Sequence, residues 1–178
     1  MLDTTVALEP QDIDMAALIH NMIAEIYEPY QAIELELDFP TDSVWVKGDA
    51  NQLRRMLQNL IINAFKHAKS KVRVSLKASP TTLQINDDGE GIPEDERQRI
   101  FTPFVRLDSS RNRKTGGFGL GLAIIQRIAR LHKASISVAD SELGGANFKV
   151  SFQGSKDTPA KRRSPWIAYW LFFSLTCV

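Results

Sequence analysis

Two pairs of strand-like runs, each closed by a short turn, limit the fold of this chain more than any other feature. "KVRVSLKA" and "TLQINDD" meet at "SPTT", and "SISVAD" and "NFKVSF" meet around "SELGG". Runs this close in sequence pair as antiparallel hairpins, since a parallel crossover needs a dozen or more intervening residues. Helical periods stand apart from these pairs instead of alternating with them. One is expected from about 12 to 28, introduced by Pro10, Asp12 and Asp14, with Met15, Leu18, Ile19, Met22, Ile23 and Ile26 on one face. A second runs from Asn51 to His67 behind the stripe Leu53, Met56, Leu57, Leu60, Ile61 and Ala64. "PEDERQRIF" reads as a short helix with Pro93 in its first turn, and another helix follows from about 119 to 132. Thr4, Val6 and Leu8, then Ile33, Leu35 and Leu37, then "VWVKGD" read as further strands. The expected class is α+β: a two-layer sandwich with a mixed, mostly antiparallel sheet and helices on one face.

The domain is expected to fill residues 1–153, where the composition changes to the linker "GSKDTPAKRR" and an apolar tail, so that 154–178 lies outside the fold. Net charge is only +1, yet residues 1–50 hold eleven carboxylates against one base, Lys47, and the rest is basic. Such a basic portion suits nucleic acid or a polyanionic nucleotide, and also a plain solvated surface. The single cysteine, Cys177, allows no internal disulfide and fits a reducing compartment. "MLDTTVALEP" has neither the basic nor the apolar region of a leader, and no window is long enough to span a bilayer. The tail "WIAYWLFFSLTCV", behind Lys161, Arg162 and Arg163, either packs on the domain, lies on a membrane surface, or is an altered reading frame or cloning remnant.

Three places carry chemistry. Asn59 and Asn63 are four apart on one helix face beside the apolar stripe, where amides add nothing to packing. Two amide oxygens one turn apart can hold a hydrated divalent cation, with Lys66 one turn on for an anion; equally, the amides satisfy each other or nearby backbone. "DDGEGIP", residues 87–93, ends a strand in a glycine turn. Its Asp87 either accepts from an exocyclic amine of a base or belongs to an acidic surface turn. "GGFGLGLAII", residues 116–125, feeds glycines into a helix N-terminus, which suits either phosphates or a tight turn. It lacks the Lys-Ser/Thr of a Walker A loop and the spacing of a dinucleotide fingerprint. Between the last two lies a long loop, 105–117, rich in bases.

In this order the elements resemble the ATP-binding catalytic domain of two-component sensor histidine kinases, in the superfamily of gyrase B, heat-shock protein 90 and MutL. "NLIINAFKHA" is similar to the family's N box, "DDGEGI" to its first glycine box, "FTPFVRL" to its F box and "GGFGLGLAI" to its second glycine box. The match covers roughly residues 3 to 153 and includes a closing helix and hairpin. The resemblance implies ATP and Mg²⁺ as ligands, with Asn59 and Asn63 on the metal and Lys66 on phosphate. It further implies His67 near the nucleotide, Asp87 on the adenine amine, and Gly89, Gly91 and Ile92 around the base. Arg106 and Arg111 fall in the implied lid and steady the γ-phosphate, while Gly117, Gly119, Leu120 and Gly121 cradle phosphates.

Arg55 stands where hydrolytic members carry a water-activating glutamate, which argues against an ATP-driven conformational clamp. A nucleotide-binding pseudoenzyme is the other alternative, and the intact Asn63, Asp87 and glycine boxes argue against it. Lys133 and Ala134 replace the usual glycines after His132, at a small expected cost in stability. His20, on the polar side of its helix, His67 and His132 all lack the surroundings of a phospho-acceptor. The expected chemistry is therefore transfer of the γ-phosphate from Mg-ATP to a histidine on a separate dimerisation domain, and indirectly to a response regulator. No nucleic-acid partner is expected, the isolated domain is expected to be monomeric, and the location is cytoplasmic, below an inner-membrane sensor.

Overall fold

The computed structural model describes residues 10–40, 43–105 and 119–153. Its elements in chain order are β1 (Gln11–Asp14), α1 (Met15–Ile26), β2 (Glu34–Asp38), β3 (Trp45–Gly48), α2 (Ala50–His67), β4 (Lys71–Ala78), β5 (Thr81–Asp87), α3 (Gly121–Leu131), β6 (Ala134–Asp140) and β7 (Ala146–Phe152). Five strands form one sheet in the order β2-β4-β5-β7-β6, antiparallel except for the parallel β2–β4 pair, and β1 pairs antiparallel with β3 in a separate ribbon.

Strand alternation explains the two layers. Val72, Val74 and Leu76 of β4, Leu83 and Ile85 of β5, and Phe148, Val150 and Phe152 of β7 are buried on one side. Onto that side pack α2, against β4 and β5, and α3, against β6, while α1 packs on α2. The stripe Leu53, Met56, Leu57, Leu60, Ile61 and Ala64 is buried as its spacing requires, joined by Phe65, on which Tyr30 stacks at 4.9 Å. Each Leu, Met, Ile or Phe side chain of this set contributes about 1.5–3 kcal/mol when fully buried. The opposite face is polar: Lys71 pairs with Glu34 and Glu36, and Arg73 with Glu36. Pairs this open to solvent add little to stability, because water screens them.

Several boundaries differ from expectation. The first helix begins at Met15, because Asp14 is extended and caps it, accepting from the amides of Ala16 and Ala17. Residues 11–14 instead pair with β3, from Gln11 opposite Gly48 to Asp14 opposite Trp45. "PEDERQRIF" forms two single 3₁₀ turns, Glu94–Glu96 and Arg99–Phe101, too short for an α-helix. The β4–β5 turn is tighter than "SPTT", with Ala78 already opposite Thr81 and a cis Ser79–Pro80 bond between. Lys133 takes φ +52, so the left-handed position that glycine usually fills is imposed on a lysine. The expected strand at Thr4, Val6 and Leu8, the loop after Val105 and everything after Gln153 lie outside the described residues.

Candidate functional site

Asp87 is the anchor. Leu83, Ile85 and Asp87 share the inward face of β5, so the alternation that builds the core also drives a carboxylate inward, leaving it 2% exposed. Its Oδ1 accepts from the Gly89 amide at 2.9 Å and the Ala146 amide at 3.1 Å; Oδ2 accepts neither bond. Burial pushes the carboxyl above its ordinary value, against the pull of those two amides and of nearby His67.

Glycines make this bracing possible. A Cβ on Gly145 would lie 2.1 Å from Asp87 Oδ1 and 2.4 Å from the Gly89 amide nitrogen, and the Gly145 amide donates to the Asp87 carbonyl at 3.1 Å. A Cβ on Gly89 would meet the His67 carbonyl at 2.5 Å, so Gly89 seats the turn on the end of α2. Gly91 takes φ +73, and Ile92 beside it packs on the core. The sequence reading missed Gly145 and Ala146. Their signal was two consecutive glycines in "SELGG": Gly144 alone supplies the turn's positive φ, at +98, which leaves Gly145 to serve a close approach.

Asn59 and Asn63 lie half-buried on the flank of α2, with Lys66 and His67 exposed in its last turn. The Asn59 amide group donates to the Arg55 carbonyl at 2.7 Å, which orients its oxygen away from the helix. That oxygen faces α3, 3.4 Å from where a Cβ on Gly121 would stand. Among the described residues no side chain caps the N-terminus of α3; Leu120 occupies the cap position, and Gly119 before it takes φ +70. Gly119 also accepts from the Phe104 amide at 3.0 Å, joining the chain on either side of 106–118. An oriented amide oxygen beside uncapped helix amides fits a hydrated cation together with the anion it neutralises. Among the described residues no cluster of three or more His, Cys, Asp or Glu could hold a metal.

The structure thus brings Asn59 to Gly121, and Asp87 to Gly89 and His67. Arg106, Arg111 and Gly117 lie outside the described residues. His20 departs from its expected polar setting: its ring stands edge-on to Phe39 at 5.2 Å, and burial lowers its pKa against the opposing pull of Asp14.

Residues 48–156 match the family described as histidine kinase-, DNA gyrase B- and HSP90-like ATPase. The chain belongs to this family. It is 47% identical over 106 residues to the sensor protein RstB of Escherichia coli (strain K12), covering 58% of this chain and 24% of that protein. It is also similar to the solved ATP-binding domain of PrrB from Mycobacterium tuberculosis, with TM-score 0.68 and 28% identity over 83% of this chain and 99% of that one. Full-length ShkA, solved in complex with AMPPNP, gives TM-score 0.69 and 28% identity over 83% of this chain and 31% of that one. The chain spans about a quarter of the length of the curated relatives it matches first. The α+β architecture expected from the hairpins is that of histidine kinase catalytic domains. Among the described residues no helix is long and apolar enough to cross a membrane.

Proposed function

We propose that this chain binds Mg-ATP and donates the γ-phosphate to a histidine on a separate dimerisation domain, as the catalytic module of a two-component sensor kinase. The observation that carries the reading is the Asn59 oxygen set against the uncapped N-terminus of α3. Asp87 accepts from the adenine amine through Oδ2, while Oδ1 stays locked on the Gly89 and Ala146 amides. Gly91 and Ile92 line the base, and His67 packs near it. Asn59 and Asn63 hold the metal, which supplies charge neutralisation at the phosphates when bound. Lys66 and the amides at the start of α3 orient the phosphate chain, with Gly117, Arg106 and Arg111 adding contacts from the lid.

Phosphoryl transfer of this kind rests mainly on positioning and charge stabilisation. The incoming imidazole nitrogen forms the new P–N bond as the bond to the bridging oxygen breaks, ADP leaves, and the imidazole proton passes to a base on the partner domain. Arg55 is exposed on α2 and offers no carboxylate to activate water, so transfer to an acceptor prevails over hydrolysis. The relatives being named as sensor proteins and sensor kinases supports a cytoplasmic position under a membrane sensor, with a response regulator receiving the phosphate.

The test mixes the chain with a purified histidine-bearing dimerisation domain and γ-labelled ATP. Label should move to that domain only with Mg²⁺ present, and replacing its acceptor histidine should stop it. Binding of Mg-ATP without any transfer would leave a nucleotide-binding interaction module instead.

A further inference from the structure

His132 is buried at the C-terminal end of α3, and the reading above gives it no task. Its Nδ1 lies 2.8 Å from the Ile128 carbonyl, and its Nε2 accepts from the Asp49 amide at 3.0 Å. A carbonyl opposite Nδ1 and an N–H opposite Nε2 require the neutral ring with its proton on Nδ1.

Asp49 is the cap of α2, and its carboxylate accepts from the Gln52 amide. In a capping box the residue at that third position reaches back to the amide of the cap. Gln52 is of the right type for this, yet the Asp49 amide goes to a ring 83 residues away. The chain is shaped to admit that ring. A Cβ on Gly48 would lie 2.5 Å from His132 Cδ2 and 2.9 Å from Nε2, so any other residue before Asp49 would displace the imidazole. Directly after it, Lys133 turns the chain at φ +52 into β6.

α3 runs antiparallel to α2 along this contact, with His132 at Asp49 and Gly121 at Asn59. At ~1.5 Å rise per residue the two contacts are about 15 Å apart along rigid helices. We propose that His132 is a positioning residue: its bond to Asp49 fixes how far α3 is advanced along α2, and so sets the start of α3 against the oxygen of Asn59. This rests on the reading that those two groups share the metal and phosphates. Apolar packing between helices tolerates small axial slips, whereas a hydrogen bond at one end does not.

The experiment titrates the full chain with Mg-ATP and with adenosine, which has no phosphates, by NMR, for wild type, His132→Asn and His132→Gln. Gln can place an acceptor oxygen near the Nε2 position; Asn is too short and replaces only Nδ1. We expect His132→Asn to weaken Mg-ATP about tenfold, the scale of one lost hydrogen bond, with adenosine affinity unchanged. His132→Gln should keep Mg-ATP within about threefold of wild type. Equal losses for both ligands, no loss, or identical behaviour of Asn and Gln would overturn the proposal. So would a wild-type ¹⁵N spectrum with the His132 proton on Nε2, a measurement that needs no variant to fold. Wild type that fails to bind Mg-ATP at all would bring down the functional reading itself, a result distinct from each of these.

Discussion

Asp87 and Asp88 are neighbours in sequence and opposites in setting. Asp87 ends the inward series of β5, and burial raises its pKa despite the bonds from Gly89 and Ala146. Asp88 points the other way, where partial burial also pushes upward but is outweighed. The Ser70 hydroxyl and the amides of Ser70, Lys71 and Lys69 hold its carboxyl well below the usual range. Both Asp88 oxygens are taken, Oδ1 by the Lys69 amide at 2.8 Å and Oδ2 by the Ser70 hydroxyl at 2.6 Å. Asp88 therefore ties the α2–β4 connection to the end of β5. Asp87 keeps one oxygen out of its own hydrogen bonds and sits in a place that costs the fold something when charged. Asp88 is a structural tie, Asp87 is the binding group of the proposed function, and the one-residue step across the strand divides them.

The widest break of this symmetry is Asp87→Asn. The amides of Gly89 and Ala146 hold the Asn oxygen where Oδ1 was, which forces the NH₂ group toward the ligand. Two donors then face each other, and a charge-assisted bond is lost as well. ATP affinity measured by calorimetry should fall about a hundredfold or more. The melting temperature should hold or rise slightly, because the desolvated charge is gone. Unchanged ATP affinity would remove Asp87 from the adenine pocket.

Why Asp87 was visible in the sequence and its supports were not is a matter of range. The stripe of α2, the hairpins and the order of the boxes come from spacing within one element or its neighbour, and residues such as Leu53, Met56 and Leu57 carry that signal directly. Gly145 braces Asp87 from the β6–β7 turn, and His132 reaches Asp49 across 83 residues. Such contacts exist only once the sheet order is known. Residues 12–14 are strand where a helix start is expected, for a local reason. Asp12 and Asp14 look like first-turn acids, but Asp14 is the cap itself, and the residues before it find a partner in β3 that no local pattern announces.

Asp88→Ala tests the other half of the comparison and should mirror the first result. It leaves the Lys69 and Ser70 amides to water, so the cost is about 1 kcal/mol, the low end for a charged acceptor in an open setting. ATP affinity should stay within about twofold. The pH dependence separates the two carboxylates further. Asp88 has a folded pKa below its unfolded one, so its contribution is full above the ordinary carboxylate range, near ~4, and is lost as pH falls through the folded value. Asp87 is the reverse: the fold favours its protonated form, an advantage complete below the unfolded value and lost as pH rises through the folded one. On acidification wild type should therefore lose ATP binding, as Asp87 takes up its proton, before it unfolds. In Asp88→Ala the unfolding should move to higher pH and the gap should narrow. Coincident loss of binding and fold in wild type, followed by calorimetry and circular dichroism at each pH, would show that the two groups do not divide the work.

The smallest effect belongs to Ser70→Ala, which removes one of the bonds to Asp88 and leaves the carboxylate in place. The Ser70 amide still reaches both Asp88 oxygens, at 3.1 and 3.0 Å, so the α2–β4 connection keeps its anchor. The loss should be about 0.5 kcal/mol in a denaturant titration, with ATP affinity the same as wild type. Combined with Asp88→Ala it should add almost nothing, because the hydroxyl acts on the fold through that carboxylate. Additive losses in the double variant would mean that Ser70 supports the turn independently, and that the low pKa of Asp88 owes more to the backbone amides than to the side chain beside it.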